Sequence, residues 1–434
     1  MEKSFYSKLF LIFFIIILLS SINLAIDNAA IQENSDVLNK KGLTGSASGS
    51  IIYIYVNSTI YDGINSSLTQ FKSDLEKTGR QIIIFNHSPS GLGMFSDADF
   101  IRSYCATQFA ISPLEGVIFV GRLPYVMYDL GQIFPCDLYF MDLDGTWTDS
   151  DGNHIYEGHS DGAGDRDPEI WLGRIDASTL NGSDINQEIN ALNNYFLKNH
   201  MYRNGSLRRP HRELVYIDDT WSADAAEWAG QSIYAYQNQT IIATNAITTD
   251  THYENILTNT SYEMVHLFVH SYYYEHVWTP SGTTTTAEIR SIDTKPLFYV
   301  LFACSAADFS QTNNIATEYL FSNNTLAVIG SSKRGGLYEP EWFFRPLGQN
   351  KSIGYSLMRW FSDATLPSAG LNNPSNSYGM TIFGDPTLTI LRGDPSQGNG
   401  GGGIPGFDFS LSLLAVLVLG IVIILEFRKD SINC

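Results

Sequence analysis

An α/β fold on a mostly parallel, doubly wound sheet is what this sequence predicts, on two observations. The first is a set of short apolar runs without alternation: Ile51–Val56 (IIYIYV), Gly116–Val120 (GVIFV), Met264–Val269 (MVHLFV) and Leu297–Ala303 (LFYVLFA). Strands of a parallel sheet are buried on both faces, so they read as continuous apolar runs and not as in–out alternation. The second is helical periodicity between the runs, as in Ile64, Leu68, Phe71 and Leu75, which lie on one face of a helix. Strand, helix, strand in this rhythm builds βαβ units.

The chain has 434 residues, enough for one large or two medium domains, and 44% hydrophobic residues supply a core. A net charge of −19 argues against nucleic acid as a partner. Residues 1–25 read as a secretory signal peptide: Lys3 and Lys8, an apolar run Leu9–Leu19, then small residues to Ala25. Residues 26–48 form a polar lead. Strand Ile51–Val56, its helix ended by Gly79, strand Gln81–Phe85 and strand Gly116–Val120 open a first α/β subdomain over 49–205. Residues 135–177 are rich in Asp and Gly before tightening into a strand at Glu169–Leu172. There Asp142, Asp144, Asp149 and Asp151, with Asn153, offer oxygens suited to a structural Ca2+, although the spacing is not that of an EF-hand. An Asp/Gly-rich surface turn is the competing reading.

A helix near 182–200 and the basic stretch Arg203–Arg212 connect to a second subdomain over 206–393. It starts with the strand Glu213–Ile217 and contains the runs ending at His270 and Cys304, a further strand at Leu326–Ile329 and the closing stretch Tyr378–Ile390. A Gly-rich linker (394–406) and an apolar segment at 407–427 follow, with Phe409–Leu425 free of charge. That segment is long enough to span a bilayer, and Arg428 and Lys429 place the 428–434 tail in the cytoplasm. The body is then extracellular, which fits nine Asn-x-Ser/Thr sequons, from Asn57 to Asn350. Pro405-Gly406-Phe407 is similar to the anchoring signal of archaeal surface proteins.

Chemistry concentrates where two apolar runs end. In an open α/β sheet, ligands bind at the carboxyl ends of strands. Neighbouring strands ending in His270 and Cys304 would set an imidazole beside a thiol, a pairing that makes a nucleophile and a general acid/base. Of the ectodomain cysteines, Cys105 and Cys136 are expected to be able to pair, leaving Cys304 as the odd thiol. His266 shares the face of His270 four residues deeper and reads as a core histidine. His276 either faces substrate or packs, and Trp278 reads as a pocket wall or as core.

Six blocks carry a resemblance to the gingipain-type cysteine peptidases of the caspase-like clan. They are the strand into Gly121-Arg122-Leu123-Pro124, CDLYFMDLDG at 136–145, PEIWLGR at 168–174, the strand into His270, FACSAADF at 302–309 and IFGDPTLTI at 382–390. The resemblance spans roughly residues 50–393 and implies a caspase-like α/β/α sandwich of two subdomains. It implies Cys304 as nucleophile, His270 as general acid/base and Glu169 as the carboxylate orienting the imidazole. The N–H groups of Ser271 and Cys304 would form the oxyanion hole. Members with basic specificity carry an acid in the pocket for the residue before the scissile bond, for which Asp176 and Asp184 are the nearest candidates. One departure stands out: the family has Gly directly after the catalytic His, where this chain has Ser271. The function implied is a membrane-anchored extracellular cysteine endopeptidase acting on proteins or peptides, with no cofactor needed for the chemistry. The alternatives are an inactive binding or adhesion module on the same fold, or a transpeptidase.

Overall fold

The structure is a computed structural model that describes residues 49–89, 94–244, 247–364 and 377–390. The expected signal peptide, lead, linker, membrane helix and tail lie outside the described residues. Ten strands form the main sheet: β1 (Ile51–Asn57), β2 (Gln81–His87), β3 (Leu114–Val120), β4 (Trp171–Ile175), β5 (Glu213–Ile217), β6 (Gln239–Ile242), β7 (Met264–Phe268), β8 (Phe298–Phe302), β9 (Ala327–Ser331) and β10 (Met380–Gly384). Their order is β6-β5-β7-β8-β9-β10-β4-β3-β1-β2. Every pairing is parallel except β9 with β10.

Burial follows the predicted logic. All five residues of β5, β7 and β9 are buried, so both faces of the sheet are covered, as parallel strands require. The helix α1 (Ser58–Glu76) buries Ile60, Ile64, Leu68, Phe71 and Leu75, and the Asn57 side chain caps its first turn. It packs on α2 (Ile185–Arg203) through Phe71 and Phe196, whose ring centroids are 5.1 Å apart. A capping box of Asp184 and Gln187 starts α2. The closing stretch is tied to α2 by the buried Asp385, whose carboxylate accepts from Asn199 at 2.9 Å and pairs with Arg203.

The single antiparallel junction has a consequence for the site. Because β10 and β4 run against β5 through β9, the amino ends of β10 and β4 share an edge with the carboxyl ends of β7, β8 and β9. Beyond β7 the chain continues into a small antiparallel flap of His270–Tyr272, Glu275–Val277 and Thr283–Thr285.

Candidate active site

His270 and Cys304 leave the sheet from adjacent strands at the same edge. The β7/β8 register pairs Phe268 with Phe302, and the Val269 N–H donates to the Phe302 carbonyl at 3.1 Å. The two backbones are thus one strand spacing apart, ~4.8 Å. Both residues line one cleft of about 580 Å³, together with Ser271, Ser305, Gln132 and Arg334. His270 is exposed and Cys304 half-buried, so imidazole and thiol are both within reach of a substrate. The indole of Trp221 lies against His270, ring centroids 4.4 Å apart.

The backbone around the thiol is tightly specified. The Gly335 N–H donates to Cys304 Sγ at 3.4 Å. Ser305 adopts φ +56, a left-handed conformation costing a non-glycine residue about 1 kcal/mol. Its N–H donates to the Lys333 carbonyl at 2.8 Å and the Ala307 N–H to the Ser331 carbonyl at 3.0 Å, so the carboxyl end of β9 holds this turn. Lys333 itself is buried, which lowers its ammonium to about 8, while charge on Cys304 and Cys136 opposes that shift.

Ser271 sits at negative φ, so the replacement of the family's Gly introduces no left-handed strain. Its Oγ lies 2.8 Å from the Tyr272 carbonyl, 2.9 Å from that of Glu275 and 3.1 Å from His276 Nδ1. In the two-residue hairpin turning at Tyr273 and Tyr274, Tyr272 pairs with Glu275 across the closing position. Ser271 then falls in a non-hydrogen-bonded pair with His276, and its N–H points away from the partner strand.

Other expectations are corrected. Glu169 precedes β4, four strands from β7, roughly 19 Å along the sheet at ~4.8 Å per strand. It does not orient the His270 imidazole. Its carboxylate instead accepts from the Leu143 N–H at 2.7 Å and gathers with Asp142 and Asp144, their oxygens within 4.8 Å of one another. Burial, reinforced by these two neighbours, raises the Glu169 carboxyl to about 8. Asp149 and Asp151 do not join that cluster; Asp149 is half-buried and Asp151 exposed, and both accept from backbone N–H groups of their own turn. Trp278 is core and not a pocket wall: it is 2% exposed, donates to Thr284 Oγ1 at 3.0 Å, and packs on Tyr216 and Tyr253.

His276 is fully buried between Ser271 and Tyr319, and burial lowers its imidazole to about 3, so it packs and does not face substrate. His266 is buried in the core, as its place in the strand suggested. Cys105 and Cys136 are free and buried, with no disulfide between them; Cys136 Sγ faces the Tyr378 carbonyl at 3.2 Å. Asp176 pairs with Arg122 and Asp184 caps α2, so neither lines the cleft. Residues of the site that sequence reasoning missed are Trp221, Arg334 and Gly335. The signal for the last two was the strand-end rule, applied to His270 and Cys304 but not to the neighbouring strand β9.

With this geometry in view, the comparisons with known proteins are decisive for the family. The model of peptidase family C25, the gingipain family, matches residues 92–391, well over half the chain. The chain belongs to peptidase family C25. No curated protein matches the sequence. Among solved structures, the chain is similar to one described as "Structure of Protease", at 15% identity and a TM-score of 0.53, over 79% of each chain. That likeness bears on the fold, and the large, mostly parallel sheet fits a caspase-like architecture. Membership of family C25 supports a cysteine peptidase.

Proposed function

We propose that this C25 protein is a cysteine endopeptidase whose chemistry runs through a Cys304–His270 dyad. The observation carrying the reading is the β7/β8 register, which delivers a half-buried thiol and an exposed imidazole to one cleft from adjacent strands. The Cys304 thiolate attacks the scissile carbonyl carbon, and the C–N bond breaks as imidazolium donates its proton to the leaving amine. Water then attacks the thioester with His270 as base. The oxyanion is held by the N–H groups of Cys304 and Ser271. With Glu169 far off, the Trp221 ring is the group that sets the imidazole's orientation. Loss of Cys304 labelling by a peptidyl electrophile in both Cys304→Ala and His270→Ala supports the dyad. Labelling that survives His270→Ala at the wild-type rate sinks it.

The protein is proposed to work outside the cell, held by the 407–427 segment. In support, every sequon asparagine except Asn57 is exposed. A membrane-impermeant reagent that fails to label the protein on intact cells would remove this part. A structural Ca2+ would be held by Asp142, Asp144 and Glu169, a hard-oxygen donor set that suits that ion. It would supply neutralising charge to a buried carboxylate group and take no part in the peptide chemistry.

A further inference from the structure

The substrate class of this cleft is readable from its charges, given the peptidase reading above. Cys304 stands on β8 between two neighbours, β7 on one side and β9 on the other. His270 follows β7, and the imidazole must protonate the leaving amine. The departing half of the peptide therefore lies on the β7 side. The acyl half, with the side chain preceding the scissile bond, lies toward β9. What β9 presents there is Lys333, Arg334 and Gly335. Gly335 contacts Sγ itself, and Arg334, its neighbour in the chain, lines the cleft with Cys304.

The Arg334 backbone is fixed by its N–H, which donates to Gln132 Oε1 at 3.2 Å across the cleft wall. Its side chain is exposed, and its guanidinium has no ion pair or hydrogen bond with any described residue. Among the described residues lining the cleft there is no carboxylate. An Arg or Lys side chain of a substrate would meet a like charge, with no acid to bind it. A carboxylate would meet a planar fork of N–H donors suited to two parallel hydrogen bonds.

We propose that the cleft selects an acidic residue, Asp or Glu, on the acyl side of the scissile bond, with Arg334 as the specificity-determining residue. This is the reverse of the basic specificity that an acid in the same pocket would give.

The test is a fluorogenic peptide series, identical except for Asp, Glu, Ala, Lys or Arg before the reporter amide, assayed with the full chain. The expected kcat/KM for Asp or Glu exceeds that for Lys or Arg by at least tenfold. Arg334→Gln narrows the acidic-to-basic ratio, and Arg334→Glu lowers it at least a further tenfold, with unfolding midpoints unchanged in both. Wild-type preference for basic or apolar peptides overturns the proposal and leaves the peptidase reading intact, as does a ratio unmoved by Arg334→Glu. No cleavage of any peptide, together with no labelling of Cys304, overturns both.

Discussion

Replacing Ser271 by the glycine usual in the family is the perturbation whose sign the backbone decides. Were φ positive at this position, Ser271→Gly would relieve strain and stabilise the fold by ~1–2 kcal/mol. It is not positive, so there is no strain to relieve. The change instead deletes a hydroxyl packed among two carbonyls and His276 Nδ1. Losing that hydrogen bonding costs about 1 kcal/mol, and glycine in a strand adds ~0.5–1 kcal/mol of chain entropy. The sum predicts destabilisation of roughly 1–2 kcal/mol. Because the N–H that would meet the oxyanion is a backbone group, kcat/KM should stay within about threefold, well short of a typical oxyanion-donor deletion. Denaturant unfolding in a Cys304→Ala background measures the first quantity and peptide hydrolysis the second. A Gly variant more stable by 1 kcal/mol or more, or tenfold more active, refutes the reasoning.

Two further outcomes follow from buried carboxyls. Glu213 and His266 lie 3.8 Å apart in the core, but burial raises the Glu213 carboxyl to about 7 and lowers the His266 imidazole to about 3, so at neutral pH they are not a full ion pair. Below the ordinary 4.5, Glu213 is neutral folded or unfolded; as pH rises from 4.5 through 7 the unfolded chain ionises first, and stability falls. The gap between 4.5 and about 7 is worth roughly 3 kcal/mol. Glu213→Gln should therefore exceed wild type by about that much at pH 8 and match it within ~1 kcal/mol at pH 4.5; equal unfolding curves at pH 8 would contradict this. Millimolar Ca2+ should raise the melting temperature, and Asp144→Asn should remove the increase; no increase in the wild type ends the calcium assignment.

Much of the fold was legible because buried parallel strands write themselves into sequence as apolar runs. The runs through Ile51–Val56, Met264–Val269 and Leu297–Ala303 all appear as strands flanked on both sides in the main sheet. The strand-end rule then found His270 and Cys304, since each lies just past such a run. It could not see that β10 inserts between β9 and β4 antiparallel to β9, because pairing order is set by tertiary packing and leaves no local trace. That order governs the fate of Glu169, which the family resemblance assigned to the imidazole and the sheet carries four strands away. Trp278 and His276 failed for a simpler reason. An aromatic stretch reads the same whether it lines a pocket or packs beneath a flap, and here the flap buries both. Cys105 and Cys136 could be paired on paper only while their partners were unknown; both are buried free thiols, with burial raising the Cys105 thiol to about 12.

The most direct test of the account is the rate at which the full-length folded protein, with and without Ca2+, is labelled by a peptidyl electrophile, comparing wild type with Cys304→Ala and His270→Ala. The account predicts one modified residue, Cys304, with labelling abolished in the first variant and strongly slowed in the second. A folded wild type that takes up no probe, or takes it up elsewhere than Cys304, contradicts the dyad.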